Sequence, residues 1–402
     1  MIILVLNCGS SSIKYQVLDM KSEQDYLLLA KGIVERIGME MAVFKHQVSG
    51  RAKQVIETPV SDHTEGIKQV LDLLVSAESG VLTSLEDIQA VGHRVAHGGE
   101  FFHASALIDE QAEKNIEACC ALAPLHNPAN LMGIRAMKTL LPKLPQVAVF
   151  DTSFHQTIPD YAFMYAIPYK YYTQYKVRRY GFHGTSHKFV AQKGCAMLGL
   201  DFNASRIVTC HLGNGGSVAA ILNGKSIDTS MGFTPIEGML MGTRCGDIDA
   251  GVVTFLQEKE GLDAAGINAV LNKESGAIGV SGISSDMRDI EVANENGNKR
   301  AGLTLNMFFY RVLKYIGAYT AAMKGVDLIV FTGGIGENDP DLRAYIGEHL
   351  AFLGVDFNPA SNKGVRGKDV ELTHPGSKVK IAVLTTDEEL VIATDTMHLI
   401  KQ

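Results

Sequence analysis

The chain has 402 residues, 46% hydrophobic and 20% charged, which is room for two or three domains with sizeable cores. Its net charge of −7 excludes a global electrostatic pull toward nucleic acid or an anionic membrane. An anionic substrate would have to be met by local positive charge.

The opening apolar run, IILVL, is too short for a signal-peptide core or a membrane span. It reads instead as a strand, followed by IKYQVL, YLLLAKGIV and MAVFKHQV, all short, β-rich and separated by polar breaks. A helix comes next, because Ile67, Val70, Leu71, Leu74 and Val75 recur at helical spacing. Asp62, with Glu65 three residues on, suits its N-terminus. A strand around IQAVGHRVA, helices near 109–121 and 128–141 and the strand QVAVFD complete the first half. The second half opens with RIVTCHL, the loop GNGGS and VAAIL. Helix-rich sequence follows, especially 300–324, then VDLIVF, a glycine loop, a helix, VKIAVLT and a last helix from about 387.

Apolar strand, small polar loop and apolar strand occur at 2–18 and again at 207–222. Two α/β domains with related openings are the expectation, possessing a common pattern of the kind left by duplication. Their expected extents are 1–151 plus 389–402, and 152–388. The six cysteines, at 8, 119, 120, 195, 210 and 245, form no C-x-x-C pair. They read as reduced thiols of a cytoplasmic protein rather than a disulfide framework.

Three loops could hold phosphate. Successive backbone N–H groups in a Gly/Ser turn form a concave anion site, and Lys14 adds a compact charge to NCGSSSIK. The alternative for that segment alone is a plain polar hairpin turn. HLGNGGS (211–217) has the same strand–loop–strand setting, and FTGGIGEN (331–338) follows a strand and precedes a helix, which aims backbone donors at a ligand. The G-x-G-x-x-G pattern fails at Gly213 and Gly334, because positions 218 and 339 are Val and Asp. NGKS at 223–226 lacks the Walker glycine at 219 and reads as a hairpin turn.

Four segments join reactive residues to glycine: GHRVAHGGE, FDTSFHQ, GFHGTSH and MGTRCGDID. Arg94 and Arg244, flanked by small residues, suit bidentate recognition of carboxylate or phosphate, though either alone is more often a surface arginine. Asp151 ends an apolar strand, a common place for site residues, or else it caps the next turn. His93/His97 and His183/His187 are each four apart, as zinc ligands on a helix can be. No H-E-x-x-H occurs and glycine flanks both pairs, so a phosphate-facing His183 is the better reading.

Together, LNCGSSSIKY, GHRVAHGGE, APLHNP, FDTSFHQT, RRYGFHGTSH, HLGNGGS, DTSMGFTPIEGMLMGTRCGDID, FTGGIGEN and TDEEL resemble the acetate kinase family, which includes propionate kinases. The resemblance runs from about residue 3 to 398. It implies an α/β fold of two ribonuclease-H-like domains, of the actin, sugar kinase and heat-shock chaperone ATPase type, with an interdomain cleft. Nucleotide binding and dimerisation would fall to the C-terminal domain. It implies ATP/ADP as co-substrate, Mg²⁺ (or Mn²⁺) as cofactor, a short carboxylate substrate and a homodimer. Asn7 and Glu388 would lie near the metal, and Lys14 near the phosphates. Arg94 and Arg244 would hold the carboxylate and the transferring group, with Asp151, His183 and His211 lining the reaction centre. Nucleotide would be held by His211, Leu212, Gly213, Asn214 and Gly215, by Asp286, Met287 and Arg288, and by Gly334, Ile335, Gly336, Glu337 and Asn338, with Lys14 counted among the nucleotide-binding residues. The acyl tail would meet Ala96, Leu125, Phe182 and Pro235.

A carboxylate with a pKa of roughly 4 is already ionised at neutral pH, so it needs no general base. The obstacle is repulsion from the γ-phosphate, which arginines, a divalent cation and a histidine address. Direct in-line transfer to acetate, giving acetyl phosphate and ADP, is therefore the expected reaction. Position 96 is often valine in acetate kinases and is Ala96 here, which predicts tolerance of propionate with acetate still preferred. The rival readings are a propionate kinase, an ATP-driven conformational switch of the actin or chaperone type, and a metal-dependent hydrolase.

Overall fold

A computed structural model describes residues 1–401. The chain divides into two compact units, one made of Met1–Gln156 and the segment from Asp387 onward, the other of Thr157–Thr386. The breaks differ from the expected ones after 151 and 388. On the first side, the turn Ser153–Thr157 prolongs the exit from the last long strand. On the second, the Asp387 carboxylate accepts from Leu390 N at 2.9 Å and so belongs to the helix it caps, Glu388–Lys401. Glu388 therefore sits in the first unit, whereas the expected boundary assigned it to the second.

The first unit holds β1 (Ile2–Gly9), β2 (Ser12–Met20), β3 (Tyr26–Glu35), β4 (Ala42–Val48), β5 (Gln54–Thr58), β6 (Ile88–Val95), β7 (Ala106–Leu107) and β8 (Gln146–Phe150). They form one sheet in the order β5-β4-β3-β2-β1-β6-β8-β7. β5 is a mostly exposed edge strand, and its weak apolar pattern gave no sign of it. The helices are α1 (His63–Leu74), α2 (Glu110–Ala118) and α3 (Asn127–Leu140). Asp62 caps α1 by accepting from Glu65 N at 2.9 Å, and the expected stripe Ile67, Val70, Leu71 and Leu74 is buried. Each such side chain contributes about 1.5–3 kcal/mol when fully buried.

The run IILVL is continuous in apolar character because both faces of β1 are covered. Leu4, Leu6 and Cys8 join the core under α1 and α3, while Ile3 and Val5 pack with Leu390, Ile392, Ala393 and Met397 of the closing helix. The period of two along a strand separates these sets.

The second unit has β9 (Arg206–Leu212), β10 (Gly216–Leu222), β11 (Lys225–Thr229), β12 (Leu328–Thr332), β13 (Val370–Glu371) and β14 (Lys380–Val383), in the order β11-β10-β9-β12-β14-β13. The longer helices used below are α4 (Gly184–Leu198), α5 (Met287–Glu295), α6 (Lys299–Ala322) and α7 (Pro340–His349). Asn223 and Gly224 turn β10 into β11 with φ of 51° and 79°, the double left-handed turn that suits a two-residue hairpin. NGKS is thus a hairpin turn.

Six strands of the two units correspond. In β3-β2-β1-β6-β8-β7 and in β11-β10-β9-β12-β14-β13, the first three strands are antiparallel neighbours, the middle pairs are parallel and the last is antiparallel. This is the shared opening that the recurring strand–loop–strand pattern announces. Among the described residues no helix is long and apolar enough to cross a membrane.

Candidate active site

In the first unit, three strand ends and one helix start converge. Asn7, near the end of β1, is the register partner of Lys14 on β2, and Lys14 is exposed. Arg94 comes from β6, and Asp151 follows β8 directly. The Arg94 guanidinium donates to Asp151 twice, Nε to Oδ1 at 3.0 Å and Nη2 to Oδ2 at 2.6 Å. Its Nη1 donates to Asn7 Oδ1 at 3.2 Å. Asp151 beside it holds the guanidinium well above its usual value, against the opposing effect of burial. His63 Nε2 donates to the Gly9 carbonyl at 2.7 Å and anchors the β1–β2 turn.

Glu388 completes this group from the start of the closing helix. Burial pushes its carboxyl up, Arg94 pulls it back, and Asp151 raises it further. A carboxamide and a carboxylate oxygen, both on half-buried residues, are donors of the kind a hard divalent cation takes, and Mg²⁺ commonly uses one or two carboxylates with water and phosphate. The carboxamide oxygen of Asn7 and the carboxylate of Glu388 fit that role. Ala96 is buried, while Leu125 is 70% exposed and covers nothing within the unit.

In the second unit, His183 stands in the left-handed region (φ 56°) where α4 begins. Its Nδ1 lies 2.9 Å from Ser217 Oγ, which also meets His187 Nε2 at 2.7 Å. His187 Nδ1 is bonded in turn to Thr209 Oγ1 at 2.7 Å. His211 stacks on His183 with ring centroids 4.3 Å apart, and its Nδ1 meets Ser186 Oγ at 2.8 Å. The four-residue spacing of His183 and His187 thus serves a histidine–hydroxyl chain. In the first unit, His93 bonds Gln146 at 2.7 Å, and burial pushes it down to about 4.

Arg244 donates to the Pro235 carbonyl at 2.6 Å and makes no ion pair among the described residues. Burial lowers its pKa from the ordinary value. A Cβ at Gly215 would lie 2.8 Å from its Nη2, so the arginine rests on the glycine loop and would have to move aside for any side chain there. Phe182 is buried and Pro235 half-buried.

A cavity of about 600 Å³ opens beside that loop. Of the expected nucleotide residues, Gly213, Asn214, Asp286, Met287, Arg288, Gly334, Ile335 and Asn338 line it. Four others do not. Leu212 is fully buried in the core, and Gly215 lies under Arg244. Glu337 Oε1 accepts from Gly333 N at 3.1 Å and Thr386 N at 3.2 Å, while the Gly336 carbonyl accepts from the buried Arg343 at 2.8 Å. These last two brace the loop from behind. His211 belongs to the histidine–hydroxyl chain, and Lys14 to the first unit.

The cavity wall also includes Ser285, Glu291, Asp339 and Arg366, which sequence reasoning did not single out. Burial, then Asp339, pushes Glu291 up to about 7. Asp286 caps α5 by accepting from Arg288 N at 3.0 Å, and Asp339 caps α7 by accepting from Leu342 N at 2.9 Å. Such caps were the available signal, since each precedes a helix.

A model of the acetokinase family matches residues 2–394. The chain belongs to the acetokinase family. Acetate kinase of Phocaeicola vulgatus is 54% identical to it over 400 residues, covering all of both chains. Acetate kinase of Thermoanaerobacter pseudethanolicus is 55% identical over 99% of each. Among solved structures, Porphyromonas gingivalis acetate kinase matches with a TM-score of 0.96 at 50% identity, and a Francisella tularensis propionate kinase with 0.90 at 39%, each over 99% of both chains. The α/β fold in two units is the acetokinase fold.

Proposed function

We propose that this protein is a reversible acetate kinase, transferring the γ-phosphoryl group of ATP to acetate by direct in-line attack. One observation carries the reading: Arg244 rests on the glycine loop whose Gly213 and Asn214 wall the 600 Å³ cavity, with no carboxylate engaged. A guanidinium free of ion pairs beside a nucleotide-sized pocket suits a phosphoryl group in transfer. Identities of 54–55% to acetate kinases favour acetate as the acceptor. Propionate is the second reading, favoured by the small Ala96.

The roles follow from the chemistry. Arg94 binds the ionised carboxylate and offsets its charge, and Asp151 orients Arg94 rather than taking a proton. His183, fixed by Ser217, faces the phosphoryl oxygens, and Lys14 adds charge near the phosphate chain. The cavity residues hold the nucleoside. Asn7 and Glu388 would hold Mg²⁺, which when bound neutralises phosphate oxygens. A second copy of the chain is the proposed partner, since Tyr161, Tyr169, Tyr175 and Phe255 leave large apolar surfaces exposed in the second unit. Six free thiols fit a reducing cytoplasm.

Incubation with acetate, ATP, Mg²⁺ and hydroxylamine tests the reading. Acetohydroxamate is expected, with less from propionate. ATP consumption without hydroxamate would make the protein an ATPase of another kind.

A further inference from the structure

Between β1 and β6 the parallel ladder ends at Leu6 opposite His93. The residues that carry the chemistry, Asn7 and Arg94, come one position later. Past the ladder's end, besides the Arg94–Asn7 bond, one buried side chain ties the two backbones together. Asn130 Nδ2 donates to the Cys8 carbonyl at 2.7 Å, and Asn130 Oδ1 accepts from Ala96 N at 3.0 Å. Its carboxamide is almost fully buried in the first turn of α3.

The surroundings make this bridge stiff. The next three N–H groups after Ala96 are each taken by a side chain: His97 N by Asn127 Oδ1, Gly98 N by Thr152 Oγ1 and Gly99 N by His97 Nδ1, all at 3.0 Å. One turn along α3, a Cβ at Gly133 would lie 2.5 Å from Cys8 Sγ, so the helix sits at closest approach to β1. Gly133 sets how deep α3 docks, and Asn130 sets where the strand ends lie against it.

We propose that Asn130 is a positioning residue, whose carboxamide replaces the missing ladder bonds and sets the spacing between the Asn7 carboxamide and the Arg94 guanidinium. The catalytic consequence rests on the acetate kinase reading above. A buried amide that merely satisfied the core would affect stability alone. A bridge with two different ends predicts two separable losses.

Asn130→Asp keeps an oxygen for Ala96 N but loses the donor to the Cys8 carbonyl. It is expected to lower kcat and raise the half-saturating Mg²⁺ concentration by about tenfold each, the scale for a buried acceptor left unpaired, with the acetate KM within about twofold. Asn130→Ser is too short to span both groups and should raise the acetate KM as well. Crystal structures of both variants without metal provide a readout apart from activity: the 3.2 Å Arg94–Asn7 hydrogen bond should be broken or re-paired. Wild-type hydroxamate formation is the control. Its absence would defeat the acetate kinase reading, and the variant structures alone would then decide the role of Asn130. An unaltered Arg94–Asn7 contact in both variants, with only the melting temperature reduced, would overturn the inference. So would wild-type kcat and KM values in both.

Discussion

Arg94 grips both carboxylate oxygens of Asp151, at 3.0 and 2.6 Å, and still has Nη1 to spend on Asn7. The pair is a fork held in a fork, with one lone pair of each carboxylate oxygen committed to the guanidinium. Asp151→Asn should lower kcat/KM for acetate by on the order of 10²-fold, somewhat less than the about 3–5 kcal/mol typical of a fully buried pair, because the half-buried Arg94 guanidinium loses its counter-charge. The wild-type pH–rate profile should show no essential base above the pKa of acetate. A basic limb that vanishes in the asparagine variant would assign Asp151 proton transfer instead.

Arg244 has a glycine beneath it and a carbonyl beside it. Arg244→Ala should reduce kcat by on the order of 10²–10³, the scale for one lost transition-state donor. Gly215→Ala should act in the same direction without touching the arginine itself, because the new methyl would stand 2.8 Å from Nη2 and push the guanidinium aside. Nucleotide affinity measured by calorimetry should change little in the alanine variant at 244. An unchanged kcat in both would remove Arg244 from the reaction.

Glu291 carries a pH signature. Its carboxyl is pushed up to about 7 in the folded chain, above the unfolded value, so its ionisation weakens the fold. Near pH 4, just below the unfolded value, the group is mostly protonated in both states and contributes little; the penalty grows as pH rises and is complete above about 7. Glu291→Gln should raise the melting temperature at pH 8 and leave it unchanged near pH 4. An equal gain at both values would show that Glu291 ionises normally.

Ala96 is the test of acyl specificity. It is buried, so a larger residue takes volume from its surroundings. Ala96→Val should lower kcat/KM for propionate about tenfold relative to acetate, within the range for one methylene in a hydrophobic pocket. Identical acetate-to-propionate ratios in the two proteins would place the acyl tail elsewhere.

Local pattern was enough for most of the scaffold. The α1 stripe, the strands flanking each polar loop and the return of a helix at 388 all follow from periodicity and capping, which act within a few residues. The glycine loops and the two arginines stood out by residue type, but each alone had a plain structural alternative, and only the combined motifs gave them roles. The bonding roles of Ser217, Thr209 and Asn130 were not legible, because their partners lie far from them in the chain or on another strand or helix. Ser217 pairs in register with His211 across β9–β10, and Asn130 reaches a carbonyl on β1. Glu337 lies in the same nucleotide-like motif but off the cavity wall, with Oε1 accepting from backbone N–H groups of its own loop and of Thr386.

The closing helix has a consequence for biosynthesis. Ile3, Val5, Val147 and Val149 are covered by Leu390, Ile392 and Met397, residues that leave the ribosome long after β8 has emerged. The nascent sheet must wait with one greasy face bare while the whole second unit is translated. Folding from the N-terminus inward, the usual order for a growing polypeptide, can therefore not be completed in this protein's first unit until its last residues are made.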